Sequence, residues 1–259
     1  MVPPYTPGTW HPRPALPTEY YQVPYAVALD GRERLKPNPA RLIVVIRREL
    51  LAAAMGEAAA EGHSRVRHAL EPSSVGALID EAAGIAFLTS PRQVGRVQQS
   101  GVFAKVDPTD SRTPVLATLA YAVRDGLRDS QFGGADAFFP NEAIYQRYVL
   151  GDQGISPHRD QSFYKIAVVI FNLVGRARFT VLHDEVESPR AEWMTEPGDM
   201  YVLAGDLGKE GVRRPRHSVG RPCLGTRVSL SLRMNERIAS KAQCGPSQFS
   251  ASQLLTDLS

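Results

Sequence analysis

Cysteine is nearly missing. Cys223 and Cys244 stand alone in 259 residues, which rules out a disulfide framework and leaves no Cys-x-x-Cys metal pair. A reducing, intracellular and by expectation cytoplasmic setting follows. Long hydrophobic runs are missing too. The most apolar window, Leu42 to Ile46, is cut off at once by Arg47, Arg48 and Glu49, so it is too short to cross a bilayer and no membrane partner is expected. A dominant charge is also lacking: 30 basic against 27 acidic side chains leave +3. That balance is compatible with an anionic substrate but does not by itself argue for nucleic acid. The chain opens Met1-Val-Pro-Pro-Tyr5 rather than with a charged leader and an apolar stretch, so no secretory signal is expected. No internal repeat is visible.

What is present divides the chain into parts. Residues 1–40 are dense in proline, from Pro3 to Pro39, with Tyr5, Trp10, Tyr20, Tyr21 and Tyr25 interleaved. They predict an extended arm. The remainder is expected to be a single domain at 41–239, with a tail at 240–259. Its first part, 41–130, reads as helical. One helix is expected from about Ala40 to Glu61, stopped by Gly62. A second is capped by Ser73 or Ser74 and runs to Gly84. A third is opened by Thr113-Pro114, with Leu116, Leu119, Ala120 and Val123 at helical spacing. The polar run Ser90–Gln99 fits a solvated loop better than the alternative, a cleft lining.

From Ala143 onward the texture turns to strands at Ile144–Leu150, Tyr164–Val174, Ala177–Leu182, Met200–Leu203 and Arg227–Arg233. Helices followed by many strands predict an α+β chain, with helices on one side of an antiparallel core at 141–235.

The most informative stretch is Tyr148-Val-Leu-Gly151-Asp-Gln-Gly-Ile-Ser-Pro-His158-Arg-Asp160. On a strand, side chains two apart point the same way, so His158 and Asp160 present two donors together. Two imidazoles and a carboxylate are the set that holds ferrous iron on one face and leaves the other open. The third donor must come from elsewhere. His217 follows the turn Pro197-Gly198-Asp199 and a short strand, and is preferred over His183, which reads as a turn residue beside Asp184 and Glu185. His11, His63 and His68 read as surface residues. Downstream, Arg227, Ser229, Ser231 and Arg233 share one face of a strand and Val228, Leu230 and Leu232 the other. Two guanidiniums inside a barrel require anions there, since an unpaired buried charge is very costly. Asp160 and a dicarboxylate would supply them.

Together, Tyr148-x-x-Gly151, His158-x-Asp160, Pro197-Gly198-Asp199, His217-Ser218-Val219 and Arg227-x5-Arg233 resemble the iron(II)/2-oxoglutarate-dependent dioxygenases, and most closely their AlkB-like branch. The resemblance covers roughly 141–235. It implies a double-stranded β-helix, or jelly roll, with His158, Asp160 and His217 on iron. Arg227 would pair with the distal carboxylate of 2-oxoglutarate, and Tyr148 would hydrogen-bond the co-substrate. Arg233 would fix its metal-proximal end or Asp160. Gln146 and Ser229 stand where the branch carries Asn, and join the co-substrate set. The implied reaction consumes O2, converts 2-oxoglutarate to succinate and CO2, and oxidises a C–H bond by hydroxylation or dealkylation. Small-molecule substrates are favoured. Nucleic acid is the alternative, drawing on Lys209, Arg213, Arg214, Arg216 and Arg221 beside His217. A non-catalytic jelly-roll binding protein is a third reading.

Overall fold

The structure is a computed structural model that describes residues 44, 46, 48–130, 134–184, 188–205 and 214–238. The expected arm and tail, Lys209, Arg213 and Cys244 lie outside the described residues. Among the described residues, three α-helices, α1 (Arg48–Glu61), α2 (Pro72–Ala82) and α3 (Pro114–Arg128), accompany thirteen β-strands. Those before the core are β1 (His63–Val66), β2 (Leu88–Thr89), β3 (Gln93–Val94), β4 (Val97–Gln98) and β5 (Val102–Val106). The core itself is built from β6 (Glu142–Tyr148), β7 (Ile155–His158), β8 (Tyr164–Val174), β9 (Ala177–Leu182), β10 (Pro189–Met194), β11 (Met200–Ala204), β12 (Arg216–Pro222) and β13 (Arg227–Asn235).

The strands form a seven-stranded sheet in the order β1-β11-β8-β13-β6-β5-β2, a four-stranded sheet β10-β9-β12-β7, and the hairpin β3-β4. Every pairing is antiparallel. From β6 to β13 the chain switches between the two large sheets at every step except β9 to β10, which is a jelly-roll arrangement.

Period-two alternation gives the large sheet its two faces. Tyr145, Val169, Phe171, Val202, Leu230 and Leu232 point outward and share one core with Leu51 and Met55 of α1, Leu78 of α2 and Leu119 and Val123 of α3. Val168, Ile170, Tyr201 and Leu203 point inward and meet Phe179, Val181 and Val219 of the small sheet. Helices therefore cover one side, and the space between the sheets is left for the site.

The first helix starts later than expected, at Arg48. The β-branched run before it is unfavourable in a helix, and Ile46 instead bridges to Leu70. The second begins with Pro72 at its first position and no side-chain cap, rather than at a serine cap. The third has no cap from Thr113. Glu81 of α2 takes that role, accepting the Val115 and Leu116 amides at 2.7 and 2.9 Å. A carboxylate there satisfies orphan donors and meets the positive helix end. Glu81→Ala is therefore expected to cost about 1–2 kcal/mol. Urea unfolding checks this, with Glu81→Gln retaining part of the loss.

Candidate metal centre

The His-x-Asp segment is set by a glycine. Gly154 has φ of +79°, and a Cβ there would sit 2.1 Å from the carbonyl oxygen of Val219. Only glycine lets this turn press onto β12. The contact brings β7 alongside β12 with His158 directly opposite His217. Their rings lie 4.4 Å apart between centroids. Asp160 follows just past the strand end, and one donor atom from each of the three residues lies within 4.8 Å of the others.

Backbone carbonyls fix both imidazoles. Nδ1–H of His158 donates to Ser156 O at 2.8 Å, and Nδ1–H of His217 donates to Pro215 O at 3.2 Å. A carbonyl only accepts, so each ring carries its proton on Nδ1 and turns a bare Nε2 to the centre. Burial, then the neighbouring His217, pulls His158 down to about 4. Burial also lowers His217. Burial opposes ionisation of Asp160, but Arg233 and the two imidazoles outweigh it and hold the carboxyl below its ordinary value. Neutral imidazoles and an ionised carboxylate are the ligand-ready states. Asp160 Oδ2 is buried with no hydrogen-bond partner and lies 3.9 Å from His217 Nε2. An orphaned carboxylate oxygen facing two bare imidazole nitrogens fits a divalent cation, and ferrous iron suits this donor set.

These shifts predict the acid behaviour of the metal-free protein. The unfolded chain takes up protons at the histidines near 6.5 while folded His158 waits until about 4. Stability is therefore full above pH 6.5 and falls as pH drops through that window. Asp160 adds a further loss below 3.8. Thermal melts between pH 7 and 4 are expected to show a steady decline that His158→Gln makes shallower.

β13 supplies the other wall. Arg227, Ser229 and Arg233 point inward, and Val228, Leu230 and Leu232 join the helix-side core. The two guanidiniums differ. Arg233 lies 3.6 Å from Asp160 Oδ1 and 4.6 Å over the Tyr164 ring. Burial works against its charge, but Tyr164, Asp160 and Glu142 raise its pKa overall. Arg227 is 1% exposed and meets no carboxylate among the described residues, only Ser229 Oγ at 3.3 Å and the Tyr148 ring at 5.8 Å. Burial pushes its guanidinium down, and its Nε has no partner. A buried cation of this kind calls for an anion from outside the chain.

The cleft between the sheets is lined by the triad, Arg227, Ser229, Gln146 and Arg233 among others. Gln146 sits opposite Ser229 in register. Tyr148 is opposite Arg227 and buried against it, but is not among the lining residues.

Several site residues escape sequence reasoning. The run Ser90–Gln99 is not simply a solvated loop. Its hairpin places Ser90, Val94, Val97 and Gln99 on the cleft, tied down by Gln98 N donating to Ser156 Oγ and by a bridge from Gln99 to Ile155. Two-residue strands held by such tertiary bonds leave no periodic signal. Tyr164 faces inward in phase with Val168 and Ile170, because the β13–β8 slip beside Ile166, whose φ of +67° is rare for a β-branched residue, keeps the alternation. Its hydroxyl donates to buried Glu142, which also meets Lys105 and Asn235. His63, expected at the surface, is instead 9% exposed and packs 5.6 Å from Trp193. His183 is an exposed residue after β9, as the sequence suggests.

Neither a family model nor a curated protein matches the sequence. Solved structures do. A Pseudomonas putida prolyl-4-hydroxylase is 20% identical with a TM-score of 0.52, covering 72% of this chain and 99% of its own. A Trichoplax adhaerens prolyl hydroxylase, solved with a hypoxia inducible factor peptide, is 15% identical with a TM-score of 0.54, covering 77% and 94%. A Burkholderia pseudomallei oxidoreductase of the 2OG-Fe(II) oxygenase family is 14% identical with a TM-score of 0.50, covering 72% and 91%. No helix among the described residues is long and apolar enough to cross a membrane. By architecture, the chain has the jelly-roll fold of the iron(II)/2-oxoglutarate oxygenases.

Proposed function

We propose that this protein is an iron(II)/2-oxoglutarate-dependent dioxygenase, with His158, Asp160 and His217 as the metal ligands. The observation that carries the reading is a pair of unmet needs in one cleft: the orphaned Asp160 Oδ2 between two bare imidazole nitrogens, and the buried Arg227 without an anion. A divalent cation answers the first and a dicarboxylate the second. Ferrous iron with 2-oxoglutarate supplies oxygen activation, giving succinate, CO2 and an oxidised C–H bond.

The chain's own residues position and shield. Ser156 and Pro215 carbonyls hold the imidazoles in the ligating tautomer. Arg227, steadied by Ser229 and backed by Tyr148, receives the far carboxylate, with Gln146 on the same wall. Arg233 keeps Asp160 ionised and oriented. The β3–β4 hairpin covers the outer face, where Val94, Val97 and Ile155 exclude water beside the polar Gln99 and Ser90.

The motif set supports placement in the AlkB-like branch, and the scarcity of cysteine supports a cytoplasmic setting. For the substrate, a small molecule is favoured. Two arginines from the basic cluster beside His217 are turned to the protein itself. Arg214 donates to the Asp160 carbonyl and Arg221 to Gln153 Oε1. They do not form a row aimed at a phosphate backbone. Purified protein with ferrous iron is expected to release succinate from 2-oxoglutarate, with small molecules stimulating it and single-stranded nucleic acid not. No succinate under any condition contradicts the enzyme reading. Salt-sensitive stimulation by nucleic acid contradicts the substrate class.

A further inference from the structure

One ring stack leads from the metal centre through the inner core to an edge strand. His217 is stacked on Phe179, with centroids 5.7 Å apart and planes 11° apart. Phe179 is stacked in turn on Tyr201 at 4.7 Å and 14°. Trp193 meets Tyr201 at 5.8 Å with planes 46° apart, and Phe179 at the longer distance of 6.2 Å and 34°. Phe179 and Tyr201 are fully enclosed between the sheets, while Trp193, on the edge strand β10, is half-exposed. A phenol and an indole give up an electron far more readily than phenylalanine or an aliphatic side chain, so Tyr201 and Trp193 are stations for an electron and Phe179 is the bridge between Tyr201 and His217.

The phenol in this stack has a proton acceptor. Tyr201 OH donates to Asp199 Oδ2 at 3.2 Å. Asp199 belongs to the Pro197-Gly198-Asp199 turn, is completely buried, and is held by Arg65 at 2.7 Å and the His68 amide at 3.2 Å. A phenol that has lost an electron is a strong acid, so even a carboxylate already paired with Arg65 takes its proton. Tyr164 also has a carboxylate acceptor, Glu142, but its ring abuts Phe163 and lines the cleft. It is the oxidisable phenol that an escape route would spare.

We infer that His217, Phe179, Tyr201 and Trp193 form an electron relay that discharges the metal site when oxygen is activated there without a substrate to oxidise. The inference rests on the oxygenase reading of the site. In each pass an electron leaves Tyr201 and travels through the Phe179 and His217 rings to the iron-centred oxidant, while the phenolic proton moves to Asp199. Trp193 then gives an electron to the tyrosyl radical and Asp199 returns the proton. A thiol or ascorbate-type reductant in solution restores the indole at the surface. Two passes, with two protons from solvent, return the iron to the ferrous state and release the activated oxygen atom as water.

The test is substrate-free incubation of the iron-loaded protein with 2-oxoglutarate and labelled O2, followed by peptide mass mapping and rapid-freeze paramagnetic resonance. Without a reductant, wild type is expected to gain oxygen at Trp193 and little at Tyr164, and added thiol suppresses the Trp193 mark. In Trp193→Phe a tyrosyl radical accumulates. In Tyr201→Phe no such radical forms, labelling of Trp193 falls severalfold, and oxygen appears at Tyr164. Both variants inactivate in severalfold fewer turnovers, with an unchanged initial rate of succinate release in Trp193→Phe, whose side chain does not line the cleft. If labelling is the same in wild type and Tyr201→Phe while succinate is made, the relay is wrong and the oxygenase reading stands. If no succinate is made, both fall.

Discussion

Alanine at Asp160, at His158 or at His217 is expected to abolish succinate production while the protein stays folded. Each residue offers one donor atom, and the three atoms lie within 4.8 Å of one another, so removing one leaves two ligands for an ion that needs three from the protein. Outer partners of a metal ligand already cost about 10–100-fold in affinity when removed. Loss of a ligand itself should therefore exceed ~100-fold in ferrous affinity. The folds should survive to different degrees. Asp160→Ala removes a buried carboxylate, yet Arg233 keeps Tyr164 beneath it and Glu142 nearby. His217→Ala also removes a ring stacked on Phe179 and opens a hole in the inner core, so its melting point falls further. Ferrous titration read beside thermal melts separates lost binding from lost structure. Retained turnover in any of the three variants contradicts the ligand assignment.

Arg227→Met should move function and stability in opposite directions. The guanidinium is 1% exposed, and burial lowers its pKa because no carboxylate among the described residues compensates. A buried charge without its counter-ion is a standing cost, and replacing it by a well-packed apolar side chain is often neutral or stabilising. Methionine is unbranched and adaptable enough to fill the space. The metal-free, co-substrate-free variant is therefore expected to melt no lower than wild type. Its affinity for 2-oxoglutarate should drop by about 2–5 kcal/mol, the usual loss when one partner of a buried charge pair is truncated. That is a fall of roughly 30-fold to several thousandfold. Arg227→Lys should recover little, since a point charge does not reproduce the bidentate fork. Calorimetry with 2-oxoglutarate and melts in its absence give the two readings. A variant that binds normally, or loses stability without binding any worse, contradicts the role given to Arg227.

The jelly-roll core was legible where period-two alternation is strong. β13 reads directly, since Arg227, Ser229 and Arg233 alternate with Val228, Leu230 and Leu232, and a polar face opposite an apolar one makes the register unambiguous. The choice of His217 over His183 also follows from turn chemistry, and the structure sets His217 opposite His158. Other features come from contacts between distant parts of the chain. The β3–β4 hairpin is a polar sequence made into structure by Ser156 and Ile155. The positive φ at Ile166 and the register slip beside it leave no mark in the alternating pattern. The carboxylate capping α3 belongs to another helix. Asp199 reads only as part of a turn, whereas its buried carboxylate braces Arg65, the His68 amide and Tyr201.

The most direct test of the metal centre is an anaerobic titration of the metal-free protein with ferrous iron and then 2-oxoglutarate, followed by calorimetry and visible absorption. The site as built predicts one equivalent of each, a charge-transfer band only when both are present, and loss of that band in His217→Ala. Ferrous binding that is unchanged by His217→Ala would contradict the account at its centre.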